Sequence, residues 1–153
     1  MGYIAEACAR LGLILEPITP RGAYQPAMRH GDLIYLSGQV SRLGAETIAG
    51  PAVAGDLDRG HIAARTAALR ALSVLDAMLA PGERVRLLKL TGYVMSAPDF
   101  TQHSAVIDGA SLVLAAVLGD VDGAHARTAV GVASLPSSGL VELDLVCAVF
   151  MAA

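Results

Sequence analysis

Apolar residues recur at three- and four-residue spacing in some stretches of this chain and alternate with polar ones in others. From residue 58 to about 79, Ala64, Ala68, Leu72, Leu75 and Leu79 fall on one stripe, which predicts an amphipathic helix. Asp58 is placed to cap it, and Pro81-Gly82 stops it. A second helix is expected over residues 103–118, terminated by Gly119, and a short one over residues 2–12, ended by Gly12. Residues 24–28 and 33–40 read as a hairpin around His30-Gly31-Asp32. Pro26 favours an edge position or a bulge, because proline donates no ladder hydrogen bond. Residues 42–57, rich in Gly and Ala, read as a loop with at most a short strand. Residues 85–95 form a strand, and two closing strands flank the turn Pro136-Ser137-Ser138-Gly139.

The order is helix, hairpin, helix, strand, helix, strand, strand. That is an α+β layout, a mixed sheet with two main helices on one face. Residues 1–20 supply an N-terminal helix and a connection, and residues 21–153 form a single domain without internal repeats.

Composition adds a subunit interface to this picture. Hydrophobic residues make up 54% of the 153 residues and charged residues only 16%, more apolar than an average soluble domain. A membrane span does not absorb the surplus. The longest run without Asp, Glu, Lys or Arg is 14 residues, Thr128 to Val141, and it contains Pro136, whereas a span needs roughly 18 apolar residues. Association with other subunits is the expected outlet.

The opening residues lack a basic leader, and Glu6 and Arg10 interrupt their apolar run, so a cytoplasmic location is expected. Cys8 and Cys147 lie far apart and read as buried or half-buried thiols. Net charge is −3, with one lysine, Lys89, and scattered arginines. Nucleic acid is therefore not an expected partner.

The candidate chemistry sits on the closing strands, which carry one arginine, Arg127, and an early glutamate, Glu142. Alternation puts Val141, Leu143, Leu145, Cys147 and Val149 on the helix-packed face and Glu142 and Asp144 on the other. Arg127, Ala129 and Gly131 share a face, with Val130 and Val132 opposite and assigned to the core. Arg127 and Glu142 are thus expected to emerge together on the non-helical side of a hairpin. Pattern alone favours an exposed cross-strand ion pair contributing about 0–1 kcal/mol. The other reading is an anion site: an arginine fork for a carboxylate, and a glutamate that holds or activates water. No His shows metal-ligand spacing, and phosphate-loop and nucleophile-elbow motifs are missing. His30 and His61 read as solvent-facing; His103 and His125 flank the second main helix. Gly38, in Ser37-Gly38-Gln39, either makes a turn or leaves backbone free for a ligand.

The segments LIYLSGQV, ART at residues 64–66, KLTGYVMSAPDF and HARTAVGVASLPSSGLVELDLV, in this order, resemble the Rid family, also called YjgF-type proteins. The resemblance covers roughly residues 21–150 and is nearest to a longer bacterial branch labelled endoribonuclease-like. It implies a chorismate-mutase-like fold and a homotrimer, with sheets inside, helices outside and clefts between subunits. It implies hydrolysis of reactive enamine/imine intermediates to 2-oxo acids and ammonia. By resemblance, the carboxylate-binding arginine is Arg127 and the water-handling glutamate is Glu142. The tyrosine is Tyr24, the main-chain contact is Gly38, and the water-orienting carbonyl belongs to Ala129. No metal or organic cofactor is expected, because an imine is already electrophilic. The partner is a small carboxylate-bearing substrate, with Arg127 and Glu142 the catalytic pair. His125, Ser104 and Ala129 replace the proline, asparagine and cysteine usual in core members. The rival expectation is a non-catalytic module that binds a small carboxylate in the same cleft.

Overall fold

The computed structural model describes residues 2–153. Helix α1 spans Tyr3–Arg10, α2 Leu57–Met78 and α3 His103–Leu118. The strands are β1 Ala27–His30, β2 Leu33–Leu36, β3 Gln39–Val40, β4 Arg42–Leu43, β5 Glu46–Thr47, β6 Glu83–Met95, β7 Ala126–Val132 and β8 Val141–Met151. The main sheet runs β1-β2-β8-β6-β7, with β3 continuing beside β8. Every pairing is antiparallel except β6 with β7, so the sheet is mixed.

The helices cover one face, as the α+β pattern predicts. Ala64, Ala68, Leu72 and Leu75 of α2 are fully buried, and Ala63, Ala67 and Ala71 widen the stripe. Small side chains let α2 lie close to both α3 and β8; Leu72 and Leu75 each contribute roughly 1.5–3 kcal/mol by leaving water. α1 joins the same core through Ile4, Ala7 and Cys8. It is pinned where the Ala5 N–H donates to Asp76 Oδ1 (3.1 Å) and the Val85 N–H donates to the Tyr3 hydroxyl (3.0 Å). Cys8 and Cys147 are free and buried, and burial pushes the Cys147 thiol up to about 12. Among the described residues no helix is long and apolar enough to cross a membrane.

Several boundaries differ from expectation. The first hairpin strand begins at Ala27, which leaves Tyr24 and Pro26 in the connection before it. The expected second strand is broken at Ser37-Gly38 into β2 and β3. Residues 42–47 form a two-stranded ribbon. The N-cap of α2 is Asp56, two residues before the expected Asp58, which lies in the first turn; the Asp56 carboxylate accepts from the Val53 N–H (2.9 Å) and pairs with Arg59 (2.8 Å).

The largest correction concerns the closing strands. β7 and β8 are not a hairpin; β6 lies between them. In register, Leu90 stands opposite both Arg127 and Leu145, and Tyr93 opposite both Val130 and Glu142. Arg127 therefore lies on the helix face and Glu142 on the open face. The expected core role of Val130 and Val132 is inverted for the same reason. α3 packs so near the edge strand that only small residues fit beneath it: a Cβ on Gly131 would meet the His103 ring and Ser96 Oγ. Val130 is left outside, 39% exposed.

Candidate active site

Glu142 is the second residue of β8, half-buried, and paired across the ladder with Val40 and Tyr93. The Ser37-Gly38 break brings the chain directly against it. A Cβ built on Gly38 would collide with the Glu142 carboxylate, so any larger residue here requires that side chain to move. Tyr24, Gly38, Gln39 and Glu142 line one cleft of about 100 Å³, closed on another side by Pro136 and Ser137. Three of the residues assigned by resemblance thus come together.

The Glu142 carboxyl is pushed above its ordinary value, first by burial and then by the neighbouring Asp144 charge. Asp144 is itself engaged, accepting from the Tyr93 hydroxyl (2.9 Å). That bond and burial also raise the Tyr93 phenol, burial contributing most. The Glu142 side chain has no hydrogen-bond donor or cation holding it among the described residues. It is a carboxylate facing a cleft with free acceptor capacity.

Arg127 is elsewhere. From edge strand β7 it reaches over to α3. Nη1 donates to Asp108 Oδ1 (2.7 Å) and Ser111 Oγ (3.1 Å), and Nη2 to Ser104 Oγ (2.7 Å) and the Ser104 carbonyl (3.2 Å). His125, unassigned by pattern, supports this arrangement. Its Nδ1 donates to the Gly123 carbonyl (2.7 Å), which leaves Nε2 to accept from the Ser111 hydroxyl (2.9 Å). Asp108 and Ser111 escaped sequence reasoning; their placement one and two turns along α3 from Ser104 was the available signal. Ala129 follows two positions later on β7, opposite Gly92 and packed against the core. Within one chain, then, Arg127 and Ala129 do not meet Glu142, Gly38 and Tyr24.

The remaining histidines are structural. His61 is half-buried rather than solvent-facing and donates from Nε2 to the Ala105 carbonyl (2.6 Å), tying α2 to α3. His103 Nε2 bonds Ser96 Oγ (3.1 Å), and His30 is exposed. Among the described residues no group of three or more His, Cys, Asp or Glu is placed to hold a metal.

Residues 15–149 match the family model described as endoribonuclease L-PSP, the model of the Rid (YjgF-type) proteins. The chain belongs to this family. Protein TCP17 of Trypanosoma cruzi is 36% identical over 151 residues, covering 94% of this chain and 92% of its own. Atu1372 of Agrobacterium tumefaciens, a protein of unknown function, is 35% identical, with a TM-score of 0.83 over 97% of this chain and 93% of that one. YjgF of E. coli shares the fold at 18% identity, with a TM-score of 0.59 over 86% of this chain and 92% of that one.

Proposed function

We propose that this Rid protein hydrolyses reactive 2-imino acids to 2-oxo acids and ammonia, in clefts between the subunits of a cytoplasmic homotrimer. The observation that carries this reading is Glu142: a half-buried carboxylate of raised proton affinity, without a cation of its own, lining a cleft with Gly38 and Tyr24. Such a group is suited to take a proton from water and give it up again.

Arg127 supplies the substrate-carboxylate clamp from a second copy. Its strand is a sheet edge, and a clamp on the helix side of that edge reaches a neighbour's open face only across a subunit boundary. The open face supports this packing. Met28, Tyr35, Leu88 and Val130 are all exposed there or along its margin, an apolar surface that water covers poorly.

In the proposed reaction the substrate carboxylate lies on the Arg127 guanidinium and a water lies between Glu142 and the imine carbon, oriented also by the Ala129 carbonyl. Glu142 accepts a proton as the water oxygen bonds to carbon. The C=N π pair moves to nitrogen, which takes that proton from Glu142 to give a carbinolamine and leaves the carboxylate free. Glu142 then relays the hydroxyl proton to nitrogen; the C–N bond breaks, the C=O bond forms and ammonia leaves. The site supplies position and a proton relay, which suffices for an already electrophilic imine.

The test generates 2-iminobutanoate in situ with an amino-acid oxidase and traps it with semicarbazide. Wild-type protein is expected to suppress semicarbazone formation. Undiminished semicarbazone at high protein concentration contradicts the reading.

A further inference from the structure

The Glu142 cleft has a second charged wall that the reaction above does not use. Arg42, on β4, and Arg70, in the middle of α2, both line it. Arg70 stands between Ala67 and Ala71, which are fully buried. The Nε atoms of both arginines are buried and have no hydrogen-bond partner among the described residues. Their one mutual contact is long, Arg70 Nη1 to the Arg42 carbonyl at 3.5 Å. Neither takes part in the ion pairs found among the described residues.

Two like charges are thus held side by side with buried donors unused. Burial lowers the proton affinity of Arg70, and the Arg42 charge lowers it further, against partial relief from Glu16. Buried unsatisfied donors and juxtaposed like charges both cost stability. An incoming anion removes both costs at once, since an arginine fork accepts an oxyanion in a two-pronged way. The charge that acts on Glu142 is Asp144, and no arginine contributes there. The two arginines share the cleft with Glu142 and form no ion pair with it. A ligand filling this cleft meets the arginines with an acidic group and Glu142 with its reacting centre.

We propose that Arg42 and Arg70 form an anion subsite for a second carboxylate, so that the substrates are short 2-imino dicarboxylic acids. This rests on the hydrolytic reading above for the reacting centre, with Arg127 taking the carboxylate next to the imine. A planar carboxylate matches the arginine fork two-pronged; phosphate shares the same oxyanion chemistry, and the titration below separates the two.

Calorimetric titration of the full-length protein with stable 2-oxo acids tests the subsite without requiring turnover. The probes are 2-oxobutanoate, 2-oxoglutarate and inorganic phosphate. Wild type is expected to bind 2-oxoglutarate at least about tenfold tighter than 2-oxobutanoate, the equivalent of one good charge-assisted contact. In Arg42→Met and Arg70→Met that ratio should collapse to about one. Melting temperature without ligand should hold or rise in both variants, because a buried like charge has gone; a purely structural role would lower it. Equal binding of the two acids by wild type, or a preference that survives in both variants, overturns the proposal. Phosphate binding tighter than 2-oxoglutarate overturns the carboxylate assignment. A dicarboxylate preference without hydrolysis of any imine would leave the subsite standing and remove the hydrolytic reading instead.

Discussion

Two charged clusters occupy opposite faces of one sheet and are built on opposite principles. Around Arg127 every charge has a partner inside the chain: Asp108, Ser104 and Ser111 take up the guanidinium, and His125 fixes Ser111. Around Glu142 the carboxylate has no ion-pair partner among the described residues, and two arginines lining the same cleft are left with unused donors. Clusters of the first kind hold a charged side chain in a fixed place. Clusters of the second kind leave groups for a ligand or another subunit to complete.

Glu142→Gln should produce the largest effect. It removes the proton relay and keeps the shape, so imine hydrolysis should fall by about 10²–10⁴-fold while the protein stays folded. The same change should raise stability at neutral pH. The folded-state carboxyl is raised above its ordinary 4.5, so ionised Glu142 opposes folding. That penalty is absent well below pH 4.5, grows as pH rises above it, and is complete once the folded-state value is passed. Denaturant titrations of wild type and variant at pH 4 and pH 8 should therefore converge at the lower pH.

Arg127→Ala should lower kcat/KM by roughly 10²-fold through loss of a charge-assisted clamp. Its stability cost should be small, about 0–1 kcal/mol, because Asp108 is half-exposed. A large stability loss with normal hydrolysis would make Arg127 an edge-strand anchor and nothing more. Gly38→Ala should cost about 1–3 kcal/mol by overpacking against Glu142 and displace the carboxylate; unchanged melting and turnover would show that the close approach is unnecessary. The smallest effect lies away from both clusters. Arg29 grips Glu83 in two-pronged fashion (2.8 Å each) and holds its carboxyl at about 2. That pair stabilises the fold above pH 4.5 and is lost as pH falls towards 2. Glu83→Gln should remove this limb of the acid unfolding curve.

The sequence made much of this legible. The Ala64, Ala68, Leu72, Leu75 stripe located α2, and Gly119 marked the end of α3. Of the five residues assigned by resemblance, Tyr24, Gly38 and Glu142 line one cleft, while Arg127 and Ala129 lie away from it in the same chain. The strand order was not legible, because periodicity reports which residues share a face and not which strands are neighbours. Inserting β6 between β7 and β8 turned an expected hairpin into two separated strands. Arg127 then fell on the helix face, where Ala129 and Gly131 made room for α3 rather than for solvent. Arg42 and Arg70 were invisible as a pair because 28 positions separate them and neither belongs to a local motif.

The central claim is that Arg127 and Glu142, on opposite faces of one chain, work together only across a subunit boundary. Refolding Arg127→Ala and Glu142→Gln chains together in equal amounts tests it most directly with the imine-trapping assay. Each variant alone is expected to be inactive. The mixture is expected to regain about a quarter of wild-type activity, since random assortment in a closed ring gives some sites both intact residues. A mixture as inactive as its components would contradict the claim.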